Sequence, residues 1–139
     1  MEGNLSGVRR KGLLMEPKTI LVIEDNQLNM KLVKTLLQIE KHQVIEAGSA
    51  ENGLEIAKER LPDLILMDIQ LPGMDGLEAT RIIKEDPELM NIPVVALTSF
   101  AMQGDEEKAM SAGCEGYITK PLDTREFTKT IAQYYPNDN

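Results

Sequence analysis

The stretch DLILMD, residues 63–68, places four consecutive apolar residues between two aspartates. A short apolar run without alternation is typical of a strand that is buried on both faces, as in the middle of a parallel sheet. Pro62 precedes the run and the turn formers Pro72 and Gly73 follow it, so its length suits one strand. The stretch therefore predicts a central strand that ends at Asp68.

Segments of the same kind alternate with helical patterns from Thr19 to Tyr135. The predicted strands are Thr19–Ile23, Gln43–Ala47, Asp63–Asp68, Pro93–Thr98 and Gly116–Thr119. A helical pattern follows each strand, and right-handed crossovers between parallel strands place helices on both faces of the sheet. We therefore expect an α/β fold of five strand-helix units with one parallel sheet.

Two of the predicted helices carry expectations about which side chains face the core. Asn26 and Ser49 are candidate N-caps, and Pro62 ends the second helix. The predicted inward stripes are Leu28, Leu32, Val33, Leu36 and Ile39 in the first helix and Leu54, Ala57 and Leu61 in the second. His42 lies between a helix and a strand beside a lysine, and we expect it to be exposed and inert.

Composition limits the class of protein. A chain of 139 residues with 42% hydrophobic content suits one domain, and we expect a flexible lead-in at 1–18, the domain at 19–136 and a tail at 137–139. The net charge of −8 argues against a nucleic-acid partner.

The chain has one cysteine, Cys114, and one histidine, His42, which excludes an intrachain disulfide and a Cys/His zinc site. No apolar run approaches the roughly 20 residues of a membrane span, so we expect no membrane insertion and a cytoplasmic location.

Polar side chains follow four of the predicted strands, at the point where each strand ends. They are Glu24 and Asp25 after the first strand, Asp68 on the third, Thr98 on the fourth and Lys120 after the fifth. Because the carboxyl ends of parallel strands meet at one rim, we expect these side chains to lie close together. Clustered carboxylates repel each other unless a hard divalent cation neutralises them, and an all-oxygen site favours Mg²⁺. The sequence therefore predicts a magnesium site at this rim.

The chemistry predicted for the rim is phosphoryl transfer. The Asp68 carboxylate can attack phosphorus and form an acyl phosphate when Mg²⁺ screens the negative charges. The predicted metal ligands are Asp25 and Asp68 directly, Glu24 through water, and the backbone carbonyl of Gln70. The Thr98 hydroxyl and the Lys120 ammonium are expected to bind the phosphoryl oxygens.

Each of these residues also has an ordinary structural interpretation. Asp68 suits a turn before a Pro-Gly loop, Glu24 and Asp25 suit a helix cap, Thr98 suits a plain strand position, and Lys120 suits a solvated loop. The combination favours phosphoryl transfer, because four separate strand ends would otherwise carry compatible groups by accident.

Together these motifs resemble the receiver domain of two-component response regulators. The resemblance is carried by Glu24-Asp25-Asn26, by residues 62–73, and by Thr98, Tyr117 and Lys120-Pro121, and it extends from Thr19 to Tyr135. It implies a flavodoxin-like (βα)5 fold, a doubly wound parallel sheet with strand order 2-1-3-4-5. The roles that it implies are phosphoacceptor for Asp68, metal pair for Glu24 and Asp25, phosphate binding for Lys120, a switch pair for Thr98 and Tyr117, and a structural cis-proline for Pro121. Segments 29–32 and 100–107 are similar to single-domain members of the family.

The resemblance also implies signalling without turnover of an external substrate. Asp68 is expected to accept a phosphoryl group from a phosphohistidine of a sensor histidine kinase or a histidine phosphotransfer protein. The phosphorylated domain is then expected to signal to a downstream protein target through a changed protein-binding surface. Because the chain ends at Asn139, 18 residues after Pro121, we expect a stand-alone response regulator without an attached effector domain.

Three other classes share parts of this pattern. A receiver module of a hybrid histidine kinase carries the same motifs. A haloacid-dehalogenase-type phosphatase also uses an aspartate after an apolar strand, but it needs a second aspartate two residues on, where this chain has Gln70. An FMN module of the flavodoxin type shares the architecture, but Glu24 and Asp25 at the end of the first strand would repel a phosphate.

Overall fold

The computed structural model describes residues 17–98, 104–120 and 123–135. Within these residues five strands alternate with five helices. They are β1 (Thr19–Ile23), α1 (Gln27–Ile39), β2 (Gln43–Ala47), α2 (Ala50–Arg60), β3 (Leu64–Asp68), α3 (Gly76–Glu85), β4 (Val94–Thr98), α4 (Asp105–Ala112), β5 (Gly116–Thr119) and α5 (Phe127–Ala132). Pro121, the lead-in through residue 16 and the tail at 137–139 lie outside the described residues. None of the helices described here has the length and apolar character needed to cross a membrane.

The sheet is parallel throughout, in the order β2-β1-β3-β4-β5. This confirms the predicted α/β fold and its strand order. β3 lies in the centre, and all of its residues are buried, as the apolar run predicts. In the register between β3 and β4, Asp68 is opposite Leu97, so these two strands reach the same rim.

Helices cover both faces of the sheet. Successive side chains of a strand point to opposite faces, so Ile20 and Val22 pack on one side while Leu21 and Ile23 pack on the other. α1 and α5 cover the first side, and α2, α3 and α4 cover the second. Each fully buried Leu or Ile contributes about 1.5–3 kcal/mol, so this double core holds the strand ends firmly in position.

α1 packs on the sheet through a different face from the predicted one. Its buried residues are Met30, Val33 and Leu37. Leu28 and Ile39 are 79% and 64% exposed, and Leu32 is exposed as well. The prediction was wrong for these three residues because α1 has apolar residues on two sides, and periodicity alone does not say which side meets the sheet. Leu28, Leu32 and Ile39 therefore form an outer stripe that faces solvent.

Leu61 ends α2 and does not pack against the core, which corrects a second expectation. It adopts a left-handed conformation with φ of 45° and is 56% exposed. The chain turns away from the sheet at this residue, whereas Leu54 and Ala57 contact the core as predicted.

His42 is buried, contrary to the prediction that it is exposed. Its Nδ1 accepts a hydrogen bond from the Lys18 backbone N–H at 2.9 Å, and its Nε2 lies 2.8 Å from the Tyr135 hydroxyl. Because Nδ1 accepts, the neutral ring carries its proton on Nε2 and donates it to Tyr135. These contacts join the start of β1 to the segment after α5, and they span 24 and 93 positions in sequence, beyond the reach of any local pattern.

Candidate functional site

Asp68 is the last residue of β3 and stands at the centre of the rim. It is 4% exposed, and its Oδ1 accepts a hydrogen bond from the Gln70 backbone N–H at 2.9 Å. The next residue, Ile69, donates its N–H to the Leu97 carbonyl at 3.0 Å. Hydrogen bonding between β3 and β4 thus continues one residue past Asp68, and it holds the backbone that carries the Asp68 carboxylate in place.

Glu24, Asp25 and Asp68 form a compact group of acids. One carboxylate oxygen from each of the three lies within 4.8 Å of the others. Glu24 is held at the end of β1 because its N–H donates to the Ala47 carbonyl at 3.0 Å, and its side chain is buried. Asp25 is exposed, so the group has one side open to solvent.

This acidic group fits a hard divalent cation. All of its donor atoms are carboxylate oxygens, the type that Mg²⁺ prefers. Three carboxylates and the nearby ammonium of Lys120 carry a formal charge of −2 when all are ionised, which one divalent cation balances. All three acids offer an oxygen to such an ion, and the assignment of direct contact to Asp25 and Asp68 and of contact through water to Glu24 stays a prediction.

Lys120 follows β5 and reaches into the acidic group. Its Nζ donates to Glu24 Oε1 at 2.7 Å and lies 3.5 Å from Asp68 Oδ2. Its side chain is only 9% exposed, and its backbone N–H donates to the Thr98 carbonyl at 2.7 Å. The structure therefore brings Lys120 beside the acids as predicted, but with Glu24 as its nearer partner.

Opposing effects act on the pKa of Glu24. Burial raises this pKa, while the hydrogen bonds from Lys120 and from the Asn26 backbone N–H lower it, and the charge of Asp68 raises it. The net result is a raised pKa. The hydrogen bond from Lys120 is therefore the largest effect that opposes the rise in the pKa of Glu24 caused by burial.

Thr98 and Tyr117 lie on the neighbouring strands β4 and β5. Thr98 ends β4, is fully buried, and pairs with Thr119 in the register. The Tyr117 hydroxyl oxygen is enclosed and meets no partner in hydrogen-bond geometry within the described part of the chain. Burial raises the pKa of Tyr117, and Asp105 raises it further, whereas the Thr98 hydroxyl is close enough to lower it.

Gly76 supports the end of β3 from below the site, although the sequence placed it only in a turn. It is the first residue of α3, and a Cβ there would lie 2.5 Å from the Asp68 carbonyl oxygen and 2.6 Å from Ile69 Cα. Asp75 caps this helix by accepting from the Glu78 backbone N–H at 2.8 Å. A glycine directly after a good cap residue was the available signal, because side chains are normally favoured inside a helix.

Comparison with known proteins identifies the class. The response regulator receiver domain family matches residues 20–132. The chain belongs to this family. It is also 48% identical over 118 residues to the polar-differentiation response regulator DivK of Brucella anthropi, a match that covers 85% of this chain and 96% of that protein. The chain is thus the receiver domain of a DivK-like response regulator in two-component signalling.

Solved receiver structures share the fold. One is the receiver domain of the sensor histidine kinase PA1611 from Pseudomonas aeruginosa, which was solved with a magnesium ion coordinated in its active site cleft. It is 31% identical to this chain, with a TM-score of 0.79, and the match covers 86% of this chain and 98% of that domain. Another is the receiver domain of Ssk1 from Saccharomyces cerevisiae, which was solved in complex with the histidine phosphotransfer protein Ypd1. That match has 29% identity and a TM-score of 0.78, and it covers 88% of this chain and 91% of the solved chain.

Proposed function

We propose that Asp68 accepts a phosphoryl group from a phosphohistidine of a partner protein and that the phosphorylated chain signals by binding another protein. The observation that carries this proposal is the convergence of three carboxylates within 4.8 Å with the Lys120 ammonium 3.5 Å from Asp68. An acid cluster with one cation at its edge suits a reaction in which a divalent cation and a phosphoryl dianion arrive together.

The transfer is a substitution at phosphorus. One Asp68 carboxylate oxygen forms the new P–O bond while the P–N bond to the donor imidazole breaks, and its electron pair stays on the ring nitrogen. A donor ring protonated on its other nitrogen leaves as neutral imidazole. Asp25, Asp68 and the Gln70 carbonyl would hold Mg²⁺ directly and Glu24 would hold it through water, and the ion would screen the negative charges that approach each other. Lys120 and Thr98 bind the phosphoryl oxygens.

The signal follows from a change of partners around Thr98. Its hydroxyl moves toward the new phosphoryl oxygens and leaves space into which the Tyr117 ring turns. This movement remodels the surface of α4, β5 and α5. To convert such an equilibrium from mostly inactive to mostly active requires about 5.5 kcal/mol, which a few charge-assisted hydrogen bonds in a partly dry site can supply.

The outer stripe of α1 supports a protein as the donor. Leu28 stands three positions after Asp25, so the stripe begins beside the rim and runs along the exposed side of the helix. A sensor histidine kinase or a phosphotransfer protein that covers Leu28 and Leu32 would bury apolar surface while it presents its histidine to Asp68. Ssk1 is a receiver that binds a phosphotransfer protein, which supports a partner of this class.

We further infer a stand-alone regulator in the cytoplasm that turns over no external substrate. The chain is 48% identical to DivK, of which the matched region makes up 96%, and 31% identical to the receiver domain of the kinase PA1611; the higher identity to DivK supports the stand-alone form over a hybrid-kinase receiver. Gln70 stands where an aspartate-dependent phosphatase needs its acid, which supports the absence of turnover. The full-length transcript tests the first inference, and phosphate release from small phosphate esters tests the second.

Beryllofluoride, a mimic of the phosphoryl group, tests the proposal directly. With Mg²⁺ present, we expect it to shift the amide resonances of residues at the ends of β3 and β4 and throughout α4 and β5. Asp68→Asn is the control, because its amide cannot hold the mimic. A spectrum that does not respond, or an identical response in Asp68→Asn, would contradict the phosphoacceptor role.

A further inference from the structure

A second cluster of polar groups lies at the end of the sheet opposite the acidic rim. His42 directly precedes β2 and Lys18 directly precedes β1, so both stand where the parallel strands begin, whereas Asp68 stands where β3 ends. Tyr135 follows α5 and brings its hydroxyl to 2.8 Å from His42 Nε2. We call Lys18, His42 and Tyr135 the His42 clasp, because the histidine ring connects the start of β1 to the segment after α5.

Only the neutral ring of His42 satisfies both neighbours in the clasp. Nδ1 accepts the Lys18 backbone N–H at 2.9 Å, which a nitrogen can do only when it carries no proton. A protonated ring has an N–H on both nitrogens, so its Nδ1 proton would point at the proton of the Lys18 N–H. Two donors that face each other repel, and a buried cation also loses its contact with water. Proton uptake therefore forces the ring out of this contact and breaks its hydrogen bond to Tyr135.

His42 is the member of the clasp that titrates near neutral pH. Charged groups face its ring from three elements: Glu40 at the end of α1, Lys18 before β1 and Asp63 before β3. Burial lowers the pKa of His42 below its ordinary 6.5, and the charge of Lys18 lowers it further, whereas the two acids raise it. Burial raises the pKa of Tyr135, so its hydroxyl keeps its proton. The closed clasp is therefore favoured above pH 6.5 and opposed as the pH falls below that value.

The end of α5 is anchored by the two tyrosines that follow the helix. Ile131 is the last fully buried residue of α5. Beyond it, the Tyr134 ring packs so closely on β5 that a Cβ added to Gly116 would lie 2.5 Å from Tyr134 Cζ. The Tyr135 ring meets the His42 ring edge-on, with centroids 5.1 Å apart. Loss of the contact with His42 therefore removes one of the two anchors and leaves only the one on β5.

We propose that the His42 clasp is a proton-sensitive device: in mildly acidic solution it releases Tyr135, and with it the end of α5, while the sheet stays folded. A helix of six residues opens at a lower cost than a sheet that is buried on both faces. Because Tyr134 packs on Gly116, the residue before Tyr117, the release reaches β5 from the end of the sheet far from Asp68. That β5 and α5 also carry the phosphorylation signal rests on the proposed function, whereas the release itself does not.

Amide hydrogen exchange of the unphosphorylated wild-type chain without Mg²⁺ tests the release. Between about pH 7 and about pH 5.5 we expect the protection of the Tyr134 and Tyr135 N–H groups to fall about fivefold, with the midpoint of the His42 ring titration. Low concentrations of urea should not change their exchange, because little surface opens, whereas the amides of β1 and β3 exchange through global unfolding, which urea promotes. Constant protection while His42 titrates, or the same urea dependence as the sheet, would overturn the inference.

His42→Gln removes the titrating group, and the protection of the Tyr134 and Tyr135 amides should then be independent of pH over this range. Tyr135→Phe keeps the ring but removes the hydroxyl partner of His42, and should lower this protection about fivefold at neutral pH. Tyr134→Phe is the matched control, because it removes the hydroxyl of the neighbouring residue, and it should respond to pH as the wild type does. A fall that persists in His42→Gln would assign the effect to another group and overturn the inference.

The amide resonance of Gly116 reports whether the release reaches β5. We expect it to shift with the midpoint of the His42 titration in the wild type and to stay constant in His42→Gln. An equal shift in both chains, or no shift in the wild type, would overturn the coupling of the clasp to β5. Because no phosphoryl group takes part, failure of Asp68 as phosphoacceptor would leave these results unchanged.

Discussion

A Cβ placed on Gly76 would lie 2.5 Å from the backbone carbonyl oxygen of Asp68, closer than real Cβ contacts allow. The first turn of α3 therefore lies directly against the backbone of Asp68, the proposed phosphoacceptor. Any side chain at position 76 has to push the end of β3 or the start of α3 out of place, because the two nearest atoms at this contact, the Asp68 carbonyl oxygen and Ile69 Cα, belong to the backbone.

Gly76→Ala is therefore expected to destabilise the fold by about 1–3 kcal/mol, the usual cost of overpacking a filled space. Urea unfolding measures this change. Gly48→Ala is the matched control, because nothing lies within 4 Å of a Cβ at Gly48, and its stability should stay close to that of the wild type. Equal stability of the two variants would contradict the close approach.

Thr98→Ala tests the coupling between phosphorylation and the surface of α4 and β5. We expect the variant to accept a phosphoryl group, but beryllofluoride should no longer shift the resonances of Tyr117 and α4, because the hydroxyl that follows the phosphoryl oxygens is missing. Thr98→Ser keeps the hydroxyl and should respond. If the alanine variant responds as the wild type does, Thr98 is not the link.

Leu28→Asp tests the outer stripe of α1 as the donor-binding surface. A charge at this 79% exposed position should slow phosphotransfer from a phosphorylated histidine kinase or phosphotransfer protein by about tenfold, while acetyl phosphate, which needs no protein surface, should act normally. Ile39→Asp places the same charge at the other end of α1 and should have a much smaller effect. Equal slowing with both donors would place the defect in the catalytic site.

The buried His42 predicts a pH dependence of stability. Burial lowers the pKa of His42 below its ordinary 6.5, an effect that the nearby Glu40 opposes in part. The unfolded chain therefore takes up this proton at a higher pH than the folded chain does. The stability contributed by neutral His42 is complete above pH 6.5 and is lost as the pH falls from there through the lower folded pKa.

His42→Gln should accordingly flatten the decline of the unfolding free energy in mildly acidic solution, measured by urea titration at a series of pH values. Tyr135→Phe removes the hydroxyl partner at 2.8 Å and should cost about 1 kcal/mol at neutral pH. An unchanged decline in His42→Gln would show that other groups cause it.

The sequence was informative wherever local pattern and topology suffice. The apolar run before Asp68 predicts a central parallel strand, and parallel strands carry their carboxyl ends to one rim, so Glu24, Asp25 and Lys120 could be placed together in advance. The strand order followed from the family resemblance and is confirmed by the sheet.

The sequence was misleading wherever a choice depends on distant partners. α1 has two apolar sides, and the sheet packs against Met30, Val33 and Leu37 instead of the outer stripe. His42 is buried by Lys18 and Tyr135, which no pattern near residue 42 could indicate.

Intact mass spectrometry after incubation with Mg²⁺ and acetyl phosphate shows whether Asp68 is the phosphoacceptor. We expect a single added phosphoryl group that maps to Asp68, depends on Mg²⁺ and is absent from Asp68→Asn. A chain that gains no phosphoryl group under these conditions, or that gains one in Asp68→Asn as well, would rule out Asp68 as the phosphoacceptor.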